Sequence, residues 1–317
     1  MRRSTRFSGR SALVWIAVAL GAAGIAGALG ATALAGQQRP GWSVYISVDM
    51  EGLSGVGSPA MTEGGGKDYD VGRRLMTAEI NAVVAGIRAA AAESGVEAVR
   101  IVVNDSHGDH ANALIEELPA GVEYVQGSLK PLGMVAELDD SFDAAIYLGY
   151  HARAGTEGFL AHTGSGLVHH MVINGIPSGE GEMNAAFAGA LGVPVVLVSG
   201  DRAYVDQARP TYAASARAVV TKSAVTAHAA HLRPVEEVRR ELEDGARAAM
   251  LGLRDHEPWN VGPPFVVEMT LGNATHVEVA AGIPGVEKIG PLTVRFESDD
   301  PVAAYRLIRI LYRFLST

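Results

Sequence analysis

The chain has 317 residues and is 48% hydrophobic, enough for one large or two ordinary domains with a sizeable core. Its formal net charge of -9 argues against nucleic acid as a partner, because phosphate binding needs a basic face. It has no cysteine, which excludes disulfides, thiolate metal sites and cysteine nucleophiles; any metal must sit on His, Asp and Glu, donors that suit zinc or manganese.

Residues 1–40 read as a targeting element and a short linker. Arg2, Arg3, Arg6 and Arg10 precede an apolar stretch from Ser11 to Ala35. Its Ala33-Leu34-Ala35 ending suggests cleavage before Gly36. The stretch is also long enough to remain as a membrane anchor. Either outcome predicts an exported protein, periplasmic, extracytoplasmic or membrane-anchored. The segment would meet the membrane during export or as the anchor.

From Gly41 onward, strand and helix patterns alternate. Val44 to Val48 is a predicted strand that stops at Asp49 and Glu51. Side chains two apart on a strand share a face, so two carboxylates point the same way where a buried strand ends. Burying an unpaired carboxylate is costly, and a cation is the expected partner. Thr77 to Glu93 is predicted helical and is closed by Ser94-Gly95. Val99 to Val103 is a continuous apolar run, typical of a strand covered on both faces, and Asn104-Asp105-Ser106-His107 follows it. Ala144 to Leu148 is a third strand, leading into Gly149-Tyr150-His151. Met171 to Ile173 is a fourth, with the turn Asn174-Gly175 after it. Glu180 stands at the mouth of a helix over Glu182 to Leu191, and Val193 to Val198 is a further buried strand.

This alternation predicts an α/β fold: a mainly parallel sheet flanked by helices in three layers, with residues 41–205 as the metal-binding catalytic domain. Beyond residue 205 the pattern changes. Tyr204 to Ala218 and Pro234 to Leu251 read as helices, Phe265 to Leu271 and Leu292 to Phe296 as strands, and Val302 to Phe314 as a closing amphipathic helix. Residues 206–317 are therefore predicted to form a smaller C-terminal α/β domain.

Candidate ligands gather just past the carboxyl ends of these strands, the edge where open α/β sheets build sites. Asp49, Glu51, His107, His151 and Glu180 supply three carboxylates and two imidazoles. Such a set holds two divalent ions with a bridging carboxylate, or one ion with further support. Each residue alone also fits ordinary loop or capping chemistry; the repetition at three strand ends points to metal. His162 lies in a glycine-rich loop, Ala161-His162-Thr163-Gly164, as an acid/base, an oxyanion donor or a loop histidine bonded to backbone. His110 reads as exposed. His169 and His170 straddle a strand start, one facing in and one out. The chain contains no phosphate-binding G-x-x-x-x-G-K-[ST], no G-x-S-x-G elbow and no H-E-x-x-H.

Several of these stretches together resemble the zinc-dependent D-aminopeptidase family, typified by an enzyme of a bacterial dipeptide-transport operon. They are Ser47-Val48-Asp49-Met50-Glu51-Gly52, Gly66-Lys67 with Tyr69 and Gly72-Arg73, Met76-Thr77, Val103-Asn104-Asp105-Ser106-His107, Leu148-Gly149-Tyr150-His151-Ala152, His162, and Ile173-Asn174 with Gly179-Glu180. Order and spacing agree from about residue 43 to 202. The resemblance implies that Asp49, Glu51, His107, His151 and Glu180 bind two zinc ions per subunit, with Asp49 as bridge. It implies that His162 is the catalytic histidine. The implied activity is removal of an N-terminal D-residue from short peptides, D-Ala peptides in particular, by water activated between two metals. The implied assembly is a homo-oligomer, with a decameric ring as the candidate form.

Two features depart from the family pattern. The typical member lacks an export segment, and Glu182 stands where a small residue is common, as a competing acidic ligand. Two other readings are set against the main one. The first is a metal-dependent hydrolase of a phosphoester or a non-peptide amide, with Lys67, Arg73 and Arg153 as phosphate partners. The second is a non-catalytic peptide-binding protein with a structural metal.

Overall fold

The computed structural model describes residues 41–315. The targeting element expected at residues 1–40 lies outside them. The first half contains β1 (Gly41–Val48), α1 (Tyr69–Ser94), β2 (Ala98–Asp105), β3 (Val122–Val125), β4 (Ala144–Tyr150), β5 (Val168–Ile173) and β6 (Ile176–Pro177). Next come α2 (Glu180–Ala190), β7 (Val195–Asp201), α3 (Arg202–Ala208), β8 (Arg217–Thr226), β9 (Ala229–Leu232) and α4 (Val235–Leu251). The chain closes with β10 (Phe265–Leu271), α5 (Ala274–Ala280), β11 (Glu287–Lys288), β12 (Thr293–Ser298) and α6 (Pro301–Arg313).

Seven strands form one sheet in the order β3-β2-β1-β4-β7-β8-β9. Neighbours pair in parallel except β9, which runs antiparallel to β8. Five strands form a second, antiparallel sheet in the order β11-β12-β10-β5-β6.

The central strand β1 shows why both faces of the large sheet are covered. Val44, Ile46 and Val48 enter a core shared with Val83, Val84 and Ile87 of α1 and with Leu242 and Ala246 of α4. Tyr45 points to the other face, into a core with Tyr147, with Phe187 of α2, with Val267 and Met269 of the second sheet, and with Tyr305 and Ile308 of α6. The period of two along the strand divides these side chains between two cores. Each such fully buried aliphatic side chain contributes about 1.5–3 kcal/mol.

The mainly parallel α/β architecture agrees with the sequence pattern, and three local readings are corrected. The helix expected over Tyr204 to Ala218 stops at Ala208. Pro210 cannot continue it, and the β-branched run Val219-Val220-Thr221 becomes part of β8. The strand around Met171 to Ile173 joins the antiparallel sheet through β10 rather than the parallel one. A division near residue 205 does not follow the packing, since residues 41–315 form one compact unit. Strand β8, after that point, extends the first sheet, and β5, before it, pairs with β10 in the second.

Candidate metal centre

Three neighbouring parallel strands, β2, β1 and β4, end side by side. Just past their ends stand His107, then Asp49 and Glu51, then His151. Backbone bonds lock the exits together: Ser106 N–H donates to the Val48 carbonyl at 2.8 Å, Asp49 N–H to Leu148 at 2.8 Å, and Gly52 N–H to Gly149 at 2.7 Å. Gly149 has a φ of +73°, and a Cβ there would overlap the Asp49 carbonyl oxygen. Only glycine allows that approach. Glu180 is the first residue of α2, where the helix dipole favours a carboxylate. Its Oε1 accepts the Gly164 N–H at 2.6 Å.

The predicted donors converge. His107 Nδ1 lies 3.1 Å from Asp49 Oδ1 and 3.0 Å from Glu51 Oε2. His151 Nε2 lies 3.4 Å from Asp49 Oδ2 and 3.3 Å from Glu180 Oε2. Asp49 thus stands between the two imidazoles with one oxygen toward each. His162 stacks on His151 with ring centroids 4.2 Å apart, and its Nε2 is 3.7 Å from Glu180 Oε1. Two overlapping triads, Asp49–Glu51–His151 and His151–His162–Glu180, each keep one donor atom per residue within 4.8 Å of the others. Asp49, Glu51, His151 and Glu180 are buried.

Backbone carbonyls orient each ring. Thr62 O lies 2.8 Å from His107 Nε2, Ala152 O lies 2.9 Å from His151 Nδ1, and Leu160 O lies 2.9 Å from His162 Nδ1. A carbonyl only accepts, so those nitrogens carry the hydrogen, and in the neutral ring the opposite nitrogen is a bare lone pair. On His107 and His151 that lone pair faces carboxylates, an arrangement that is repulsive unless positive charge lies between. Asp49 Oδ2 and His151 Nε2 have no hydrogen-bond partner among the described residues. Buried polar atoms are rarely left so, and an ion between them accounts for it.

The electrostatics show the same need for positive charge. Burial pulls His107 down, but the charge of Glu51 and the bonds to Asp49 and Glu51 outweigh it and hold its pKa well above the usual value. Burial likewise pulls His151 down, but Glu180 and Asp49 outweigh it and hold its pKa well above the usual value too. Burial and then the charge of Glu51 raise Asp49. Burial would raise Glu180, yet the charge and hydrogen bond of His151 lower it to about 2. Carboxylate and imidazole donors, with carbonyls fixing the rings behind them, fit a divalent cation of the zinc type.

Other residues singled out from the sequence fare differently. Glu182 is buried, but its Oε2 accepts the Gly179 N–H at 2.8 Å and closes the α2 N-terminus, so it stands outside both triads. His110, expected exposed, is buried, with Nδ1 at 2.8 Å from the Asp105 carbonyl; burial, then Lys130, lowers its pKa to about 4. His169 and His170 are both exposed, because the β5–β10 register shifts there. Lys67 is exposed beside Asp68, Arg73 Nε donates to the Asn112 carbonyl at 2.7 Å, and neither they nor Arg153 line the cavity. The phosphate reading loses the three cations named for it.

A cavity of about 130 Å³ opens onto Asp49, Glu51, His107 and Glu180, and onto His162 beside them. It is also lined by Arg309, Tyr312 and Arg313 of α6, residues that sequence reasoning passed over. The available signal was an arginine inside the apolar stripe of an amphipathic helix.

The D-aminopeptidase family model matches residues 43–310. A D-aminopeptidase of Bacillus subtilis (strain 168) is 34% identical over 273 residues, covering 84% of this chain and 96% of that protein. Among solved structures, the Zn-dependent D-aminopeptidase DppA from Bacillus subtilis, a self-compartmentalizing protease, aligns with a TM-score of 0.80 at 32% identity, over 86% of this chain and 97% of that one. The likeness therefore runs through the C-terminal third as well as through the strand ends that carry the donors. This chain belongs to the D-aminopeptidase family and is a metal-dependent aminopeptidase.

Proposed function

We propose that the chain is an exported zinc enzyme that removes the N-terminal D-residue from short peptides. Asp49, Glu51, His107, His151 and Glu180 would hold two ions, with Asp49 shared between them, and His162 would transfer the proton. One observation carries this reading: buried carboxylates and imidazoles from three strand ends converge, each imidazole has its outer nitrogen fixed by a carbonyl, and Asp49 Oδ2 and His151 Nε2 lack any other partner. Zinc, named for the similar Bacillus subtilis structure, supplies Lewis acidity toward a carbonyl and a more acidic water when bound to such donors.

The chain's own side chains do the rest. The N-terminal amine of a peptide, as the free base, would be received on the Asp49, Glu51 and Glu180 side of the cavity, which restricts cleavage to the N-terminal residue. The side chain of His162 is 33% exposed, with Nε2 free to hold a proton and pass it to the leaving amine. Its support is a strained one. Leu160, whose carbonyl fixes Nδ1, has a φ of +52°, a left-handed conformation that costs a leucine roughly 1–2 kcal/mol. A small cavity suits short chains, and an exported enzyme would meet cell-wall peptides, which contain D-Ala. The self-compartmentalizing relative supports a homo-oligomer that encloses its sites, a decameric ring being the candidate form.

The test is elemental analysis of the purified full-length protein, together with hydrolysis of D-Ala-D-Ala, L-Ala-L-Ala and a generic phosphodiester. The expected result is about two zinc per subunit and turnover of the D-dipeptide above the other two. Zinc-replete protein that cleaves no dipeptide overturns the reading, and turnover of the phosphodiester alone moves it to the other hydrolase class.

A further inference from the structure

Helix α6 brings to the cavity a residue that the chemistry above does not use. Arg309 is 4% exposed. It lies on the helix side that buries Tyr305, Ile308 and Tyr312, and Tyr305 anchors that side through its hydroxyl, which donates to Asn184 Oδ1 at 2.6 Å. Arg309 Nη1 has no hydrogen-bond partner, and the side chain forms no ion pair among the described residues. Its aromatic contact is Tyr312, with the ring centroid 6.0 Å from Cζ. The backbone makes room for it. Gly133 has a φ of +46°, and a Cβ there would overlap the guanidinium.

A buried guanidinium without an anion is costly, since arginine stays charged at every accessible pH. The position is shaped to hold it nonetheless, and it lines the cavity that the metal donors line. Arg313 lines the cavity as well, so basic groups on α6 share it with the carboxylates of the strand ends. The cavity is small, about 130 Å³, against roughly 300–1,000 Å³ for pockets that take drug-sized ligands. A dipeptide carries the complementary pair of charges. Its ammonium and its carboxylate stand at opposite ends of a chain about 7 Å long. The planar guanidinium fork pairs with a carboxylate through two parallel N–H···O bonds.

We propose that Arg309 is the anion subsite of this cavity: it receives the C-terminal carboxylate of a dipeptide whose free amine lies at the donor cluster, and so selects substrates two residues long. The inference rests on the aminopeptidase reading and extends it from reaction to substrate length. An arginine that instead stabilised a developing oxyanion would act on every substrate alike, and that difference is measurable.

The experiment compares kcat/KM of the zinc-replete full-length enzyme on D-Ala-D-Ala and on its C-terminal amide. The free acid should be preferred by about tenfold or more, the factor for a charge-assisted pair. Arg309→Gln should raise KM for the acid about 10- to 100-fold with little change in kcat, and bring the acid-to-amide ratio toward one. Arg309→Lys should keep part of the preference. Wild-type enzyme that cleaves acid and amide equally well overturns the subsite while the aminopeptidase reading stands. An unchanged ratio in Arg309→Gln, or an equal loss on both substrates, overturns it too. If neither peptide is cleaved, the aminopeptidase reading fails and takes this inference with it. Should the glutamine variant not fold, the wild-type ratio still decides.

Discussion

At His107 a backbone carbonyl chooses which nitrogen faces the carboxylates: Thr62 O takes the Nε2 hydrogen, and Nδ1 is left between Asp49 and Glu51. The same device, turned around, leaves Nε2 of His151 and of His162 free. The donors divide by surroundings. His107 and Asp49 each face charged partners that a cation would satisfy, so His107→Ala and Asp49→Ala should lose metal as well as activity. His162 lies nearer solvent, and its own ring-to-carboxylate distance is longer, at 3.7 Å. His162→Ala should keep the metal and lose roughly 10²–10⁴ in kcat. Elemental analysis beside steady-state kinetics separates the two behaviours, and a fully active His162→Ala would remove the proton-transfer role. Asp49, Glu51, His107 and His151 could be picked out in the sequence because alternation along a strand fixes which face a residue takes, and strand ends recur; Glu180, at a helix mouth, and His162, in a loop, drew their roles from the family resemblance. Thr62 and Gly164 were not, because they act through backbone atoms that any residue carries.

The loop that follows β1 must hold Asp49 and Glu51 still, and two elements distant in sequence fasten it. From α1, Glu79 Oε1 accepts the N–H of Ser54 at 2.7 Å and also its hydroxyl. From β8, Lys222 Nζ donates to the carbonyls of Glu51 and Val56, and Thr221 Oγ1 donates to Gly52 O. Burial, against the bonds from Ser54, raises the pKa of Glu79 from 4.5 to about 7. Between those values the folded chain keeps a proton that the unfolded chain has released. The associated stability is full below about pH 4.5 and is lost as pH rises through about 7. Glu79→Gln removes this titration, so its Tm should fall less than that of the wild type as pH rises from about 5 to 7. Thermal melts at closely spaced pH values check this, and parallel curves for the two proteins would refute it. These fastenings were out of reach of the sequence, since a charge within a helical pattern, such as Glu79, ordinarily faces solvent, and Lys222 fell between the predicted elements. Helical composition in Tyr204 to Ala208 runs straight into alanines, and only Pro210 marks the stop.

At the scale of the whole molecule, the chain's two sheets interleave segments that are far apart in sequence. The sequence pattern gives the parallel sheet, because each βα step is local. It does not give the docking of β5 onto β10 or of α6 over the cavity, because those are long-range choices made by shape. Every donor, every carbonyl that orients one, and both sheets lie within residues 41–315. Residues 41–315 also form one compact unit. Removing residues 1–35 should therefore leave folding and the metal site intact, with metal content and kcat/KM within about twofold of the full chain, as expected for a boundary outside a domain. Light-scattering mass on the same shortened protein tests the proposed assembly. An oligomer that survives the truncation assigns self-association to the folded unit, where Leu129, Val225, Val279 and Phe314 expose apolar surface. A monomer that retains metal and dipeptide turnover would separate catalysis from assembly and remove the enclosed ring from the proposal. Loss of metal on truncation would instead show that residues 1–35 support the site, against everything the packing of β1 between β2 and β4 implies.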